Sequence, residues 1–102
     1  MQPGLSQEEN ARRTVALAIV GNEIVEERFA QEAKFGETGE TCANPAMDRG
    51  TKMFVLMEEV GEVARAVLED EPVEDLRKEL IQVAAVAAAW AESLTELPDG
   101  VE

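Results

Sequence analysis

Histidine and tyrosine are absent from this chain, cysteine and tryptophan occur once each, and 22 acidic residues outnumber 9 basic ones. The missing histidine excludes Ser-His-Asp triads, histidine-based zinc sites and di-iron bundles built on Glu-x-x-His. With a single cysteine, Cys42, no internal disulfide is available, which fits a reducing compartment. Cys42 also has no histidine to activate it as a nucleophile, so it reads as a loop or packing residue. No apolar run approaches the ~20 residues needed to cross a bilayer. The opening MQPGLSQEEN carries no basic-then-apolar signal pattern, so the expected location is the cytoplasm. A net charge of -13 predicts repulsion from nucleic acid and from anionic membranes. Handling a phosphate compound at this charge requires divalent cations to bridge like to like.

What the chain does have is helical periodicity. Its 102 residues, 45% of them hydrophobic, suit one domain spanning 1–102 with a modest core. No strand-length alternation stands out, so the fold class is all-α. Ser6 and Glu9 have the spacing of a capping box and open a first helix. It runs through Leu17, Val20, Ile24 and Phe29 and ends near Lys34 to Gly36. A loop over 36–47 follows, rich in Gly, Thr, Asn and Pro, of a length often tied to function. The second helix starts between Asn44 and Asp48. Its core stripe is expected at Met53, Leu56, Met57, Val60, Ala64, Val67 and Leu68, with a stop around Glu69 to Glu71. The third starts at Pro72, with Glu74 and Asp75 in its first turn. Its stripe is Leu76, Leu80, Val83, Ala87, Trp90 and Leu94. Residues 1–5 and 97–102 are expected to fray.

The acidic residues are patterned too. Glu58, Glu59 and Glu62 in MEEVGE share about one third of the second helix's circumference, away from its apolar stripe. Val55, Val63 and Ala66 flank them, so that side is not simply polar. On the third helix, Glu79 and Gln82 project with Val86, Ala89 and Ser93 along a second line, apart from the Leu76–Leu80–Val83 stripe. A helix apolar on two sides contacts neighbours on two sides, which brings Glu79 to an interior surface. The two readings are Glu79 paired with a basic residue of another helix, or Glu79 facing Glu59 and Glu62 across a cation. A short connection makes helices two and three antiparallel neighbours. Carboxylate oxygens suit Mg²⁺ or Mn²⁺, and nothing favours zinc or copper. Three helices this short do not cover the third on both sides. The expected architecture is therefore an antiparallel bundle of three main helices completed by dimerisation, as a homodimer or a dimer of dimers. Ala84, Ala85, Ala88 and Ala89 allow close helix approach.

EEVGE at 58–62, a spacer of sixteen residues and ELIQ at 79–82 resemble the all-α nucleotide pyrophosphohydrolases of the MazG superfamily, whose pattern is EExxE, a spacer, then ExxD. KFGE at 34–37 is similar to the Lys-aromatic-Gly segment of MazG-like members. The resemblance covers roughly residues 30 to 95. It implies Mg²⁺-dependent cleavage of a nucleoside triphosphate between its α and β phosphates. Glu59, Glu62 and Glu79 would be metal ligands by motif position, with Gln82 at the fourth, and Glu58 would bind metal or position water. Glu58 and Glu59 are the candidate proton acceptors. The family's final Asp is Gln82 here, which offers a neutral oxygen and cannot act as a base. Lys34, Arg49, Lys52, Arg77 and Lys78 are candidate phosphate contacts, and Phe35 or Trp90 a stacking surface for a base, although Trp90 lies on the core stripe. The alternatives are a nucleotide- or Mg²⁺-binding module of the same fold without turnover, and a structural bundle with solvated carboxylates.

Overall fold

The computed structural model describes residues 6–97 and 100. They form three helices, α1 (Gln7–Phe35), α2 (Arg49–Leu68) and α3 (Val73–Ser93), with no strand among the described residues. Of the ends expected to fray, only Leu97 and Gly100 lie within the described residues. No described helix is long and apolar enough to cross a membrane.

Local chemistry sets the helix ends. The Ser6 hydroxyl accepts from the Glu9 amide at 3.1 Å and caps α1. Asp48, rather than Asn44, caps α2, accepting from the Thr51 amide at 2.8 Å and from the Thr51 hydroxyl at 3.0 Å. Asn44 instead folds the connecting loop. Its amide donates to the Gly39 carbonyl, and its carboxamide oxygen accepts from the Ala46 amide. Gly39, at φ 73°, makes the reversal that this requires. α2 ends with Asp70 in the left-handed region at φ 51°. The Asp70 and Glu71 amides there satisfy the last carbonyls, of Val67 and Ala66. Pro72 sits at the cap of α3, one residue before its first turn.

α3 is the middle helix. It packs against both α1 and α2, and α1 and α2 make no direct packing contact. The short turn from α2 makes α3 its antiparallel neighbour, and Lys52 near the start of α2 meets Ser93 at the end of α3. Arg77 pairs with Glu23 and Arg28 with Glu92, so α1 and α3 run in the same general direction. The result is an up-down-up three-helix bundle that is open between its outer helices.

The core is small. Cys42, Ala66, Ala85, Val86 and Ala89 are its buried apolar residues, and Ala43, Met47, Val55, Leu56 and Trp90 pack against the Cys42–Val86–Ala89 cluster. Much of the two stripes expected to form the core instead faces outward. Met53, Met57, Val60, Val67 and Leu68 of α2, Leu80 of α3 and Leu94 at its C-terminal cap are exposed. Both helices are apolar on two sides. The side bearing Val55 and Ala66 on α2, and Val86 and Ala89 on α3, is the one taken inside.

Candidate functional site

Because α1 and α2 stand apart over α3, a groove of about 390 Å³ runs between them. Val55, Val86, Ala89 and Cys42 form its apolar base. Glu59 from α2, Gln82 from α3, and Glu27, Gln31, Lys34 and Phe35 from α1 line it, and Glu40 and Thr41 of the loop close one end. Successive α1 residues enter at i, i+4 and i+7 (Glu27, Gln31, Lys34), one face of a helix. The Lys34 ammonium lies 5.0 Å from the Phe35 ring centroid. Charge and aromatic surface therefore sit together where α1 ends.

Glu59 is the most perturbed carboxyl of the groove. Burial pushes its pKa above the usual carboxylate range, and Glu79, Glu62, Glu58 and Glu27 push it further the same way. Glu79 acts on Glu59 from α3, across the seam with α2. Glu79 and Glu62 are half-buried, while Glu58 stays at the exposed outer edge. Glu62 accepts an ion pair from Arg65 at 3.0 Å, one turn on. Among the described residues, no three carboxylates come together closely enough to hold a metal ion. The donor set of carboxylates and one carboxamide is nevertheless that of a hard cation.

The basic residues divide. Lys34 lines the groove. Lys78 and Arg77 line a shallower hollow beside it with Glu23, Glu26, Ile81 and Gln82. Arg77 is committed to Glu23, whose carboxyl is held below its usual range, mainly by the hydrogen bond from Arg77. Arg49 is exposed at the start of α2. Lys52 departs from expectation as a phosphate contact. It is 3% exposed, does not line the groove, and donates to the Ser93 hydroxyl at 2.8 Å. Its position in the first turn of α2 points it back across the end of α3. Trp90 packs against the small core, as its stripe position implies.

Two features escaped the sequence pattern. Glu27 belongs to the acidic cluster although it lies outside the EEVGE and ELIQ segments. Its signal was the polar line Glu27, Gln31, Lys34 leading into KFGE. The second is Arg28, which is buried and ties α1 to α3. Its guanidinium donates to Gln31 at 2.8 Å, to Glu32 at 2.9 Å and to Glu92 at 3.2 Å. Cys42 is buried at the groove's base, and that burial raises its thiol pKa against the opposing effects of Lys52 and Arg28. It is a packing residue of the loop.

No family model, no curated protein and no solved structure matches the chain.

Proposed function

We propose that the groove is the site of a Mg²⁺-dependent nucleoside triphosphate pyrophosphohydrolase, releasing the monophosphate and pyrophosphate. The observation that carries this reading is Glu59, half-buried in the groove with Glu27 and Gln82, its carboxyl pKa raised by burial and by the charges of Glu79, Glu62, Glu58 and Glu27. A solvated acidic face does not place carboxyls in such a setting.

By motif position the ion would fall to Glu59 and Gln82, which line the groove, and to Glu62 and Glu79, whose side chains would have to draw in from outside its lining to join them. Mg²⁺ or Mn²⁺, when bound, supplies charge neutralisation for a polyphosphate and a water of lowered pKa. Above its raised pKa, Glu59 is an anionic acceptor for a proton from the attacking water. Glu58 lies at the outer edge, where it orders water at the mouth. Lys34 presents one positive charge to a phosphate chain, and Lys78 a second beyond Gln82. Phe35 offers a ring face to a base. In this reading the chain works in the cytoplasm as a homodimer or a dimer of dimers.

One second reading has specific support. Gln82 lowers the site's negative charge by one relative to the pattern the sequence resembles, and Glu62 is engaged by Arg65. Both favour a module that binds Mg²⁺ or a nucleotide without turnover.

A nucleotide panel with Mg²⁺ and Mn²⁺, scored for pyrophosphate and for orthophosphate, tests the proposal. Pyrophosphate release that disappears in Glu59→Ala is expected. Thermal stabilisation by Mg²⁺ with no release from any nucleotide moves the assignment to the binding module. If Mg²⁺ neither stabilises the protein nor supports release, both readings fail.

A further inference from the structure

Toward its loop end the groove presents a carboxamide whose orientation is fixed. Gln31 lines the groove from α1, and its Oε1 accepts from the Arg28 guanidinium at 2.8 Å. A guanidinium donates and never accepts, so the atom that meets it is the oxygen and not the nitrogen. Arg28 is itself 7% exposed and stands outside the groove lining. Glu32 at 2.9 Å and Glu92 at 3.2 Å hold it from two further sides. The Gln31 amide nitrogen, the other arm of the same planar fork, bonds to no described residue. What Gln31 offers the groove is therefore N–H, without an acceptor. At the same end stands Thr41, buried at 6% exposure, whose hydroxyl also bonds to no described residue. Among the described residues no fully sealed side-chain polar atom lacks a partner, so this hydroxyl opens onto a cavity. Phe35 adds a ring, and Cys42 and Val86 an apolar floor. A planar heterocycle suits these surroundings, with its faces on apolar surface and its edge on the polar groups.

We infer that this end of the groove reads a nucleobase by a carbonyl on its edge, with Gln31 as the discriminating donor, so that keto bases bind in preference to their amino counterparts. A free carboxamide reads adenine with both arms, accepting from the exocyclic amine and donating to the ring nitrogen beside it. Arg28 has taken the accepting arm here. An exocyclic amine brought to Gln31 sets N–H against N–H and leaves both desolvated without an acceptor, whereas a ring carbonyl takes the donor. Thr41 donates or accepts as required and does not discriminate. Glu40, an acceptor at this end, is exposed, where water competes for it. The inference deepens the proposed function by naming the class of base. It rests on the groove taking a nucleotide and does not require turnover.

The test is calorimetric titration with two pairs of nucleoside monophosphates in the presence of Mg²⁺, uridine against cytidine and inosine against adenosine. Roughly tenfold tighter binding of the keto member of each pair is expected. Gln31→Leu leaves Arg28 its two glutamate partners and should bring the ratio below about threefold. Gln31→Glu puts an acceptor where the donor was and should turn the preference toward the amino members. Equal binding within either pair overturns the inference, and so does a wild-type preference for the amino members. A keto preference unchanged in Gln31→Leu, or no binding of any of the four at about 5 mM, overturns it as well. Should the variants not fold, the wild-type ratios decide alone. Pyrophosphate release is read separately. Keto preference without release keeps this inference and sinks the reaction, and release without preference does the reverse.

Discussion

The groove face and the reverse face of α2 and α3 are built from the same two helices and differ in what covers them. On the groove side, small residues such as Ala66, Ala85 and Ala89 let the helices approach closely, and Glu59 and Gln82 are carried inward with them. On the reverse side the larger apolar residues, Met57, Val67, Leu68 and Leu80, stand exposed. The side chains that offer the most burial energy are therefore not the ones a single chain buries. The face of smaller residues is the one the chain buries, and the face of larger ones stands exposed.

The contrast is broken most severely by Leu68→Ala, on the reverse side of α2. On an isolated protomer, replacing so exposed a side chain alters stability by under ~0.5 kcal/mol. With a second copy in place, the loss approaches ~3 kcal/mol in denaturant titrations. On the groove side, Mg²⁺ at about 100 times its dissociation constant should stabilise the protein by ~2.7 kcal/mol. Glu59→Ala should remove that gain while circular dichroism shows the helices intact. The seam between α1 and α3 comes next. Arg28→Ala strips a buried guanidinium from Gln31, Glu32 and Glu92 and should cost about 2 kcal/mol in chemical denaturation.

Glu59→Gln, studied without divalent cations, sharpens the electrostatic side. A carboxyl whose folded pKa is raised contributes fully below the ordinary glutamate pKa. That contribution is lost as pH rises through the raised value. The glutamine variant should therefore melt higher than wild type at neutral pH, by under ~1 kcal/mol after solvent screening. The difference should vanish near pH 4, and added Mg²⁺ should reverse its sign. The smallest effect is expected at Asp70, whose φ of 51° suits glycine better. Asp70→Gly should raise the melting temperature, by about 0.5 kcal/mol in stability, without changing either face.

Much of the secondary structure was legible because its signals are local. The Ser6 cap, the end of α1 at Phe35 and the short turn before α3 follow from neighbouring residues. The choice of Asp48 over Asn44 did not, since Asn44 is a good cap in isolation and is used to brace the loop on Gly39. Of the candidate site, the inward turn of Glu59 and Gln82 was readable from helical spacing and a short connection. Glu27 was not, because its place depends on how α1 crosses α3. Lys52 was misjudged for a similar reason. A lysine at the start of a helix looks solvent-facing until the end of a neighbouring helix is laid over it.

The amino-acid order by itself determined three helices, the cap of the first, and which residues share a side of each. Periodicity groups side chains by angle, and angle is a property of one helix alone. Only the tertiary structure decided which of two apolar sides turned inward, because that depends on the neighbour that arrives to cover it. α3 lies between α1 and α2 with its smaller residues in the seams, and this placement put carboxylates in the groove and the larger apolar side chains outside.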